Sequence, residues 1–398
     1  VVKSVRSSSE AASTPDRWRS PPADRPHAAY VHVPFCRHRC GYCNFTLVAG
    51  RDDLIEPYLA ALARELAWLG QPQPVRTLFV GGGTPTHLPP AALARLLALL
   101  RRWFPLLPGG EWSIEANPVD LDPSRLDVLG EAGITRISLG VQSFLAPKLA
   151  VLERDHDAAI VAQAVAAARQ VATSVSLDLI FGVPGETLAD WQRDLDAALA
   201  QKPDHLSTYG LTWEKGTRFW TRRLHGQLAP LDEETERAMY EWAIDRLTAA
   251  GMEHYEVSNF AHTGHRCRHN EGYWRREPFF GAGPGAARLI DGRREVNHRS
   301  TTTYICRVLA GQSPVQEAEH LGPEDAAREQ LVLGLRRMEG VDLAAFHEAT
   351  GFTVAQLGGH ALPRLLAQGL LELTAGRLRL TRQGLLVSDA LWPALLRC

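Results

Sequence analysis

Few cysteines, little net charge and no long apolar run set the outer limits. Six cysteines in 398 residues are too sparse for the disulfide framework of a small secreted domain. The charges nearly cancel, 43 basic against 45 acidic side chains for a net charge of −2. No overall basic footprint points to nucleic acid, and none is expected as a partner. No stretch reaches the ~18 consecutive apolar residues that would suggest a transmembrane helix. No apolar signal-peptide core stands near the first residues, and a cytoplasmic protein is expected. With 45% hydrophobic and 22% charged residues, the composition is that of a soluble globular chain, long enough for two units.

What is present is concentrated. Three of the cysteines fall within one short stretch, Tyr30-Val-His-Val-Pro-Phe-Cys36-Arg-His-Arg-Cys40-Gly-Tyr-Cys43-Asn-Phe45. Thiolates at this spacing can ligate the irons of an iron–sulfur cluster. A [4Fe-4S] cube ordinarily takes four cysteines. Here the fourth is missing locally, and Cys267, Cys306 and Cys398 are scattered singly. Cys36, Cys40 and Cys43 would then leave one iron without a protein ligand, open to a chelating amino acid. S-Adenosylmethionine offers an amino and a carboxylate group for it. An electron passed to its sulfonium would break a C–S bond and give a 5′-deoxyadenosyl radical. A structural zinc site completed by His38 is the competing reading of the same loop, because zinc takes four ligands close together.

Periodicity divides the chain. Residues 1–27 are rich in Ser, Pro, Ala and Arg without apolar periodicity, which predicts a disordered tail. From residue 28 a strand–helix rhythm begins. Strands are expected at 28–33, 75–80, 111–116, 136–141, 174–181 and 205–209. Helices between them are expected at 54–69, 90–103, 125–132, 158–171 and 188–200. Six such repeats argue a parallel α/β sheet closed as a partial (β/α)6 barrel over 28–230, with its chemistry at the carboxyl ends of the strands. An extension at 231–322 starts with a helix at 233–250 and a strand at 255–260, then a loop to about residue 290. Helices at 324–338, 343–350 and 362–368, strands at 370–374 and 377–380 and a helix at 384–396 make 323–398 a small α+β, winged-helix-like domain.

The polar motifs fall where such a barrel would use them. Gly81-Gly82-Gly83-Thr84-Pro85-Thr86 follows the second strand, where glycines let the backbone approach a ligand. No Gly-Lys-Ser/Thr follows, so this is not a phosphate loop. Glu115, Gln142 and Asp178 stand at or near strand ends. Buried there, each needs a hydrogen-bond partner, and together they suit a cation carrying ribose hydroxyls. Arg154 in Arg-Asp-His can clamp a carboxylate.

With its Tyr-x-His-x-Pro-Phe approach, the cysteine loop resembles that of the radical S-adenosylmethionine superfamily. In chain order, the motifs up to Asp178-Leu-Ile-Phe-Gly-Val-Pro-Gly185 are similar to the oxygen-independent coproporphyrinogen oxidase family over about residues 28–290. The resemblance implies that Cys36, Cys40 and Cys43 hold a [4Fe-4S] cluster. It also implies that Tyr30, Gly82, Gly83, Thr84, Glu115, Gln142, Arg154 and Asp178 contact S-adenosylmethionine. Within that family, His269-Asn270-Glu-Gly-Tyr273-Trp274, Tyr255-Glu-Val-Ser-Asn259-Phe-Ala and Gly281-Ala-Gly-Pro-Gly285-Ala resemble the HemW type of haem chaperone. His269 could ligate haem iron while Tyr273 and Trp274 stack on the macrocycle. A buried histidine beside core aromatics is the plain alternative, and Cys267 is a second candidate ligand. The resemblance implies a protein that binds haem and hands it to recipient haemoproteins, with a membrane as one setting and a homodimer left open. Two enzymatic readings stand beside it: oxidative decarboxylation of coproporphyrinogen III, and methyl transfer from a second S-adenosylmethionine. The decarboxylating relatives, on this resemblance, carry Cys-x3-Cys-x2-Cys-x-Cys; here the last position is Phe45.

Overall fold

Six apolar stretches in the first half become parallel strands in sequence order: β1 (Ala28–Val33), β2 (Val75–Gly82), β3 (Leu106–Ala116), β4 (Arg136–Gln142), β5 (Ser174–Phe181) and β6 (His205–Gly210). Each pairs with the next. The returns are α1 (Ile55–Ala67), α2 (Pro90–Trp103), α3 (Pro123–Ala132), α4 (Ala146–Val151), α5 (Ala158–Val171) and α6 (Leu188–Ala200). Local chemistry sets their ends. Gly133, in the left-handed region, stops α3, and Thr187 with Asp190 closes a capping box at the start of α6. Alternate strand residues such as Val31, Leu78, Ile114, Leu139 and Leu177 pack with Leu62, Leu66, Leu93 and Leu97 of the helices in one core. The computed structural model describes residues 26–396. Most of the expected tail, 1–25, and Cys398 lie outside them.

Beyond β6 come α7 (Arg218–Leu224), α8 (Glu233–Ala249) and an antiparallel hairpin of β7 (Glu253–Glu256) and β8 (Asn259–Ala261), where one strand was expected. The expected loop to about residue 290 is a further departure. It contains α9 (Arg268–Trp274) and β9 (Phe279–Ala282), and β9 pairs parallel with β1 on the side away from β2. A four-residue Phe-Phe-Gly-Ala strand has no alternation by which to be recognised. Then β10 (Ala287–Ile290), β11 (Arg293–Asn297) and β12 (Val315–His320) extend the sheet antiparallel, with α10 (Thr301–Leu309) between the last two. The order is β12-β11-β10-β9-β1-β2-β3-β4-β5-β6-β8-β7.

The last part has a separate core of Leu331, Leu335, Phe346, Leu357, Leu365, Leu378 and Leu395. Its helices surround a sheet of three short strands. The helix expected at 384–396 is two, Arg382–Leu386 and Ser388–Leu396. Among the described residues no helix is long and apolar enough to cross a membrane.

Two buried polar clusters brace the barrel. Lys148 on α4 lies 2.5 Å from Glu186 and 2.9 Å from Asp194 of α6. Asp194 also accepts from the Ser143 hydroxyl and the Phe144 amide, both at 2.7 Å, so it fixes the turn that follows Gln142. Burial raises the Glu186 pKa, with Lys148 opposing. Across the barrel, Glu65 of α1 accepts from the Gly283 amide (2.9 Å), Asn297 (2.7 Å) and the Tyr304 hydroxyl (2.5 Å). It anchors the loop that leaves β9.

Candidate functional site

The carboxyl ends of β1–β6 surround a cavity of about 720 Å³. Its lining includes Cys36, Cys40, Cys43, Gly82, Gly83, Thr84, Glu115, Gln142, Arg154 and Asp178, so the fold brings together nearly all of the residues expected for cluster and nucleotide.

The cysteine loop leaves β1 and returns in a short ladder that pairs Phe35 with Val48 and Cys36 with Ala49. Cys36 Sγ lies 3.0 Å from the Thr84 hydroxyl. Burial pushes the Cys36 thiol up to about 11, and Cys43 and Cys40 are near enough to add to the shift. Among the described residues no three His, Cys, Asp or Glu side chains converge as ligands of a single ion. A cube asks for no such convergence, because each thiolate meets a different iron. His38 Nε2 is turned instead to Glu153, at 3.0 Å, and to Arg218, at 3.2 Å. The loop thus fits a cube better than a zinc ion.

The glycines are required by close approach. A Cβ on Gly82 would sit 2.5 Å from the His32 ring, and one on Gly83 2.6 Å from the Phe35 carbonyl. His32 is buried, and burial drives its pKa down to about 4. Its Nε2–H donates to the Thr46 carbonyl at 2.6 Å while Nδ1 accepts from the Tyr30 hydroxyl at 2.9 Å. It therefore ties β1 to the far end of the cysteine loop.

The charged groups at the strand ends are under-compensated. Glu115 accepts one backbone bond, from Gly82 at 2.9 Å. Burial, with Asp178 adding, pushes its carboxyl up to about 8. Asp178 accepts from Ser138 at 3.0 Å, and burial raises its pKa. Gln142 takes a positive φ of 66° where the β4–β5 register shifts, a conformation uncommon for a residue other than glycine. Arg154 donates to the Gly140 carbonyl at 2.7 Å, and its Nε is buried without a partner. A buried unpartnered donor in the same cavity wall as two partly buried carboxyls matches a ligand that is cationic and also carries acceptors. S-Adenosylmethionine has both features.

Tyr30 does not line the large cavity. It borders a smaller one of about 210 Å³ beneath it, which shares Glu115, Ser138, Asp178 and Tyr209 and is closed by Cys267, His269 and Tyr273. His269 is 1% exposed. Its Nδ1 is bonded to the Thr77 hydroxyl (2.9 Å) and its Nε2 to the Tyr273 hydroxyl (2.8 Å), and burial drives its pKa down to about 3. Trp274 is apart from both, with the Arg336 guanidinium 4.5 Å over its ring. As folded, His269 has no nitrogen free for iron, and the three residues share no open face.

Sequence reasoning passed over Arg136, Ser138, His205 and Ser207, which line the inner cavity. The signal was available: Arg136, Ser138 and Gly140 on β4, and Ser174, Ser176 and Asp178 on β5, alternate with apolar residues. With period two, that places one polar column inside the barrel.

Comparisons with known proteins agree with this geometry. Residues 30–198 match the family model of the Radical SAM superfamily, and residues 321–387 that of the HemN C-terminal domain. The solved structure of coproporphyrinogen III oxidase (HemN) from Escherichia coli, a radical SAM enzyme, is similar in fold. Its TM-score is 0.83 at 24% identity, covering 94% of this chain and 90% of that one. The heme chaperone HemW of Bacillus subtilis is 36% identical over 93% of this chain and 99% of its own. That of Mycobacterium tuberculosis is 40% identical over 95% and 96%. At that identity over nearly the full length of both chains, the protein belongs to the HemW family of the radical SAM superfamily.

Proposed function

We propose that the protein binds haem and passes it to recipient haemoproteins, some of them membrane-bound, in a cytoplasmic setting. The observation that carries this is its near-full-length similarity to heme chaperone HemW proteins. In this reading Cys36, Cys40 and Cys43 hold a [4Fe-4S] cluster, and S-adenosylmethionine occupies the large cavity. When bound, the cluster supplies an electron to the sulfonium. The chain's own part is to position and screen. Glu115 and Asp178 face the cation, Arg154 Nε and Gln142 offer donors, and Gly82, Gly83 and Thr84 line the approach. Tyr30 acts from below, through His32. We take 28–230 as the barrel, 231–322 as its extension and 323–398 as a winged-helix-like unit.

The chaperone reading is tested against decarboxylation. At the position two residues after Cys43 stands Phe45, which neither ligates metal nor exchanges protons. Anaerobic, cluster-loaded protein should form no protoporphyrinogen IX from coproporphyrinogen III, yet shift the Soret band of added haem. Robust decarboxylation would overturn the chaperone reading.

The raised carboxyl of Glu115 gives a pH dependence with a definite sign. Its pKa of about 8 means that it is largely protonated at pH 7 in the empty site. A bound sulfonium favours the carboxylate, so binding should release a proton below pH 8. Affinity for S-adenosylmethionine should therefore rise from pH 6 to 8, by at most about tenfold per unit, and level off above. Calorimetry in buffers of different ionisation enthalpy would count the proton, and Glu115→Gln should flatten the profile. A flat wild-type profile would remove Glu115 from the site.

A further inference from the structure

The inner cavity beside His269 is small. At about 210 Å³ it falls below the roughly 300–1,000 Å³ of ordinary ligand pockets, and it is walled by Glu115 and Asp178. A macrocycle bearing two carboxylates does not fit it by size or by charge. The rim of the large cavity is different. Phe45 stands on that rim 57% exposed, in a chain whose other phenylalanines are largely buried. Beside it, Leu47 and Leu211 present apolar wall. The deep end of the cavity carries Glu115 and Asp178, and the rim mixes Arg37 with Asp120, Glu153 and Asp155.

The arginines of the cysteine loop and of neighbouring α7 are not equivalent. Arg37 is paired with Asp120 and Asp155, and Arg218 with Glu153. Arg39 is exposed and donates to the carbonyls of Phe45 and Leu47. Among the described residues no carboxylate pairs with it. Its charge is near enough to Cys43 to lower the pKa of that thiol against the effect of burial. One loop thus holds an exposed aromatic face and an uncompensated guanidinium side by side.

We propose that haem docks at this rim, its face on Phe45 and a propionate on Arg39, over the cysteine loop rather than against His269. The proposal rests on the reading that the protein binds haem. Aromatic faces stack on planar ligands, and arginine prefers carboxylates. Glu115 and Asp178 on the floor disfavour a propionate there, whereas Arg39 carries a charge that no carboxylate among the described residues offsets.

The test is haem titration of the cluster-loaded full chain, followed at the Soret band. Phe45→Ser should weaken binding by about tenfold or more, the scale of a lost aromatic contact, and Phe45→Trp should restore it. Arg39→Gln should weaken binding severalfold, and Arg39→Lys should largely retain it. Haem dimethyl ester, which lacks the charges, should bind the wild type more weakly and should not distinguish Arg39→Gln from it. Cluster absorbance and S-adenosylmethionine calorimetry show whether each variant keeps its loop. Should Phe45→Ser lose the cluster, the Arg39 pair and the ester decide. Wild-type affinity in Phe45→Ser and Arg39→Gln would overturn the rim site and leave the chaperone reading standing. Equal weakening of haem and ester by Arg39→Gln would overturn the charge contact. A wild type that binds no haem would remove both readings at once.

Discussion

Replacing Cys36, Cys40 or Cys43 by alanine should remove the broad iron–sulfur absorbance of the reconstituted protein. Cys267→Ala, Cys306→Ala and Cys398→Ala should keep it. The three loop cysteines line one cavity, whereas Cys267 is buried beside Glu111, its sulfur 3.9 Å from a carboxylate oxygen. It lines the smaller inner cavity, apart from the three loop cysteines. Cys306 is exposed on α10. With one of three ligands gone the cube would have two unprotected irons instead of one, so loss should be essentially complete. Iron and sulfide analysis after gel filtration would check it. A cluster surviving in any loop variant, or lost from a distant one, would undo the open-iron assignment.

The second large effect concerns stability. Lys148→Met keeps side-chain length beside Trp191, whose ring centre lies 4.9 Å from the ammonium. It leaves Glu186 and Asp194 facing one another with side chains 1% or less exposed. Breaking a buried pair in this way typically costs about 3–5 kcal/mol. The cost has a pH sign. Without the ammonium at least one carboxyl will have its folded pKa raised further above its unfolded value. It is then protonated and tolerated in acid, and its penalty grows as pH climbs past the unfolded pKa. Urea unfolding at pH 5 and pH 8 should show the wider gap between variant and wild type at pH 8. A gap under about 1 kcal/mol at both would mean that the triad is not a buried charge cluster of this kind. Because Asp194 fixes Ser143 and Phe144, the variant should also displace Gln142 and weaken the nucleotide.

The six barrel strands were readable because each is a run of apolar or alternating residues closed by a turn signal, as at Arg136–Gln142. The strand ends could then be assigned chemistry, and Glu115, Gln142 and Asp178 do meet at one mouth. What was not readable depends on pairing across long separations. Phe279–Ala282 has meaning only against Ala28–Val31. Glu65 looks like a surface charge in a helical pattern and Lys148 and Glu186 like charges between elements, and only packing reveals all three as buried hubs. His269 and Trp274 are neighbours in sequence, yet the turn of α9 sends one into the barrel and the other against Arg336.

The clamp on the cysteine loop comes from two distant parts of the chain. A side chain at Gly283 would strike the His32 carbonyl, and one at Gly285 the Thr46 side chain, so the loop after β9 lies directly on the loop that holds the cysteines. During synthesis the thiols emerge first, and the segment that presses them into shape follows some 240 residues later. Contacts this distant in sequence form late. The consequence is an order of events. A chain halted before residue 279 would still have Thr84 and Glu153 on the cysteine loop but not the loop after β9, and should take up a cluster poorly until the sheet is complete.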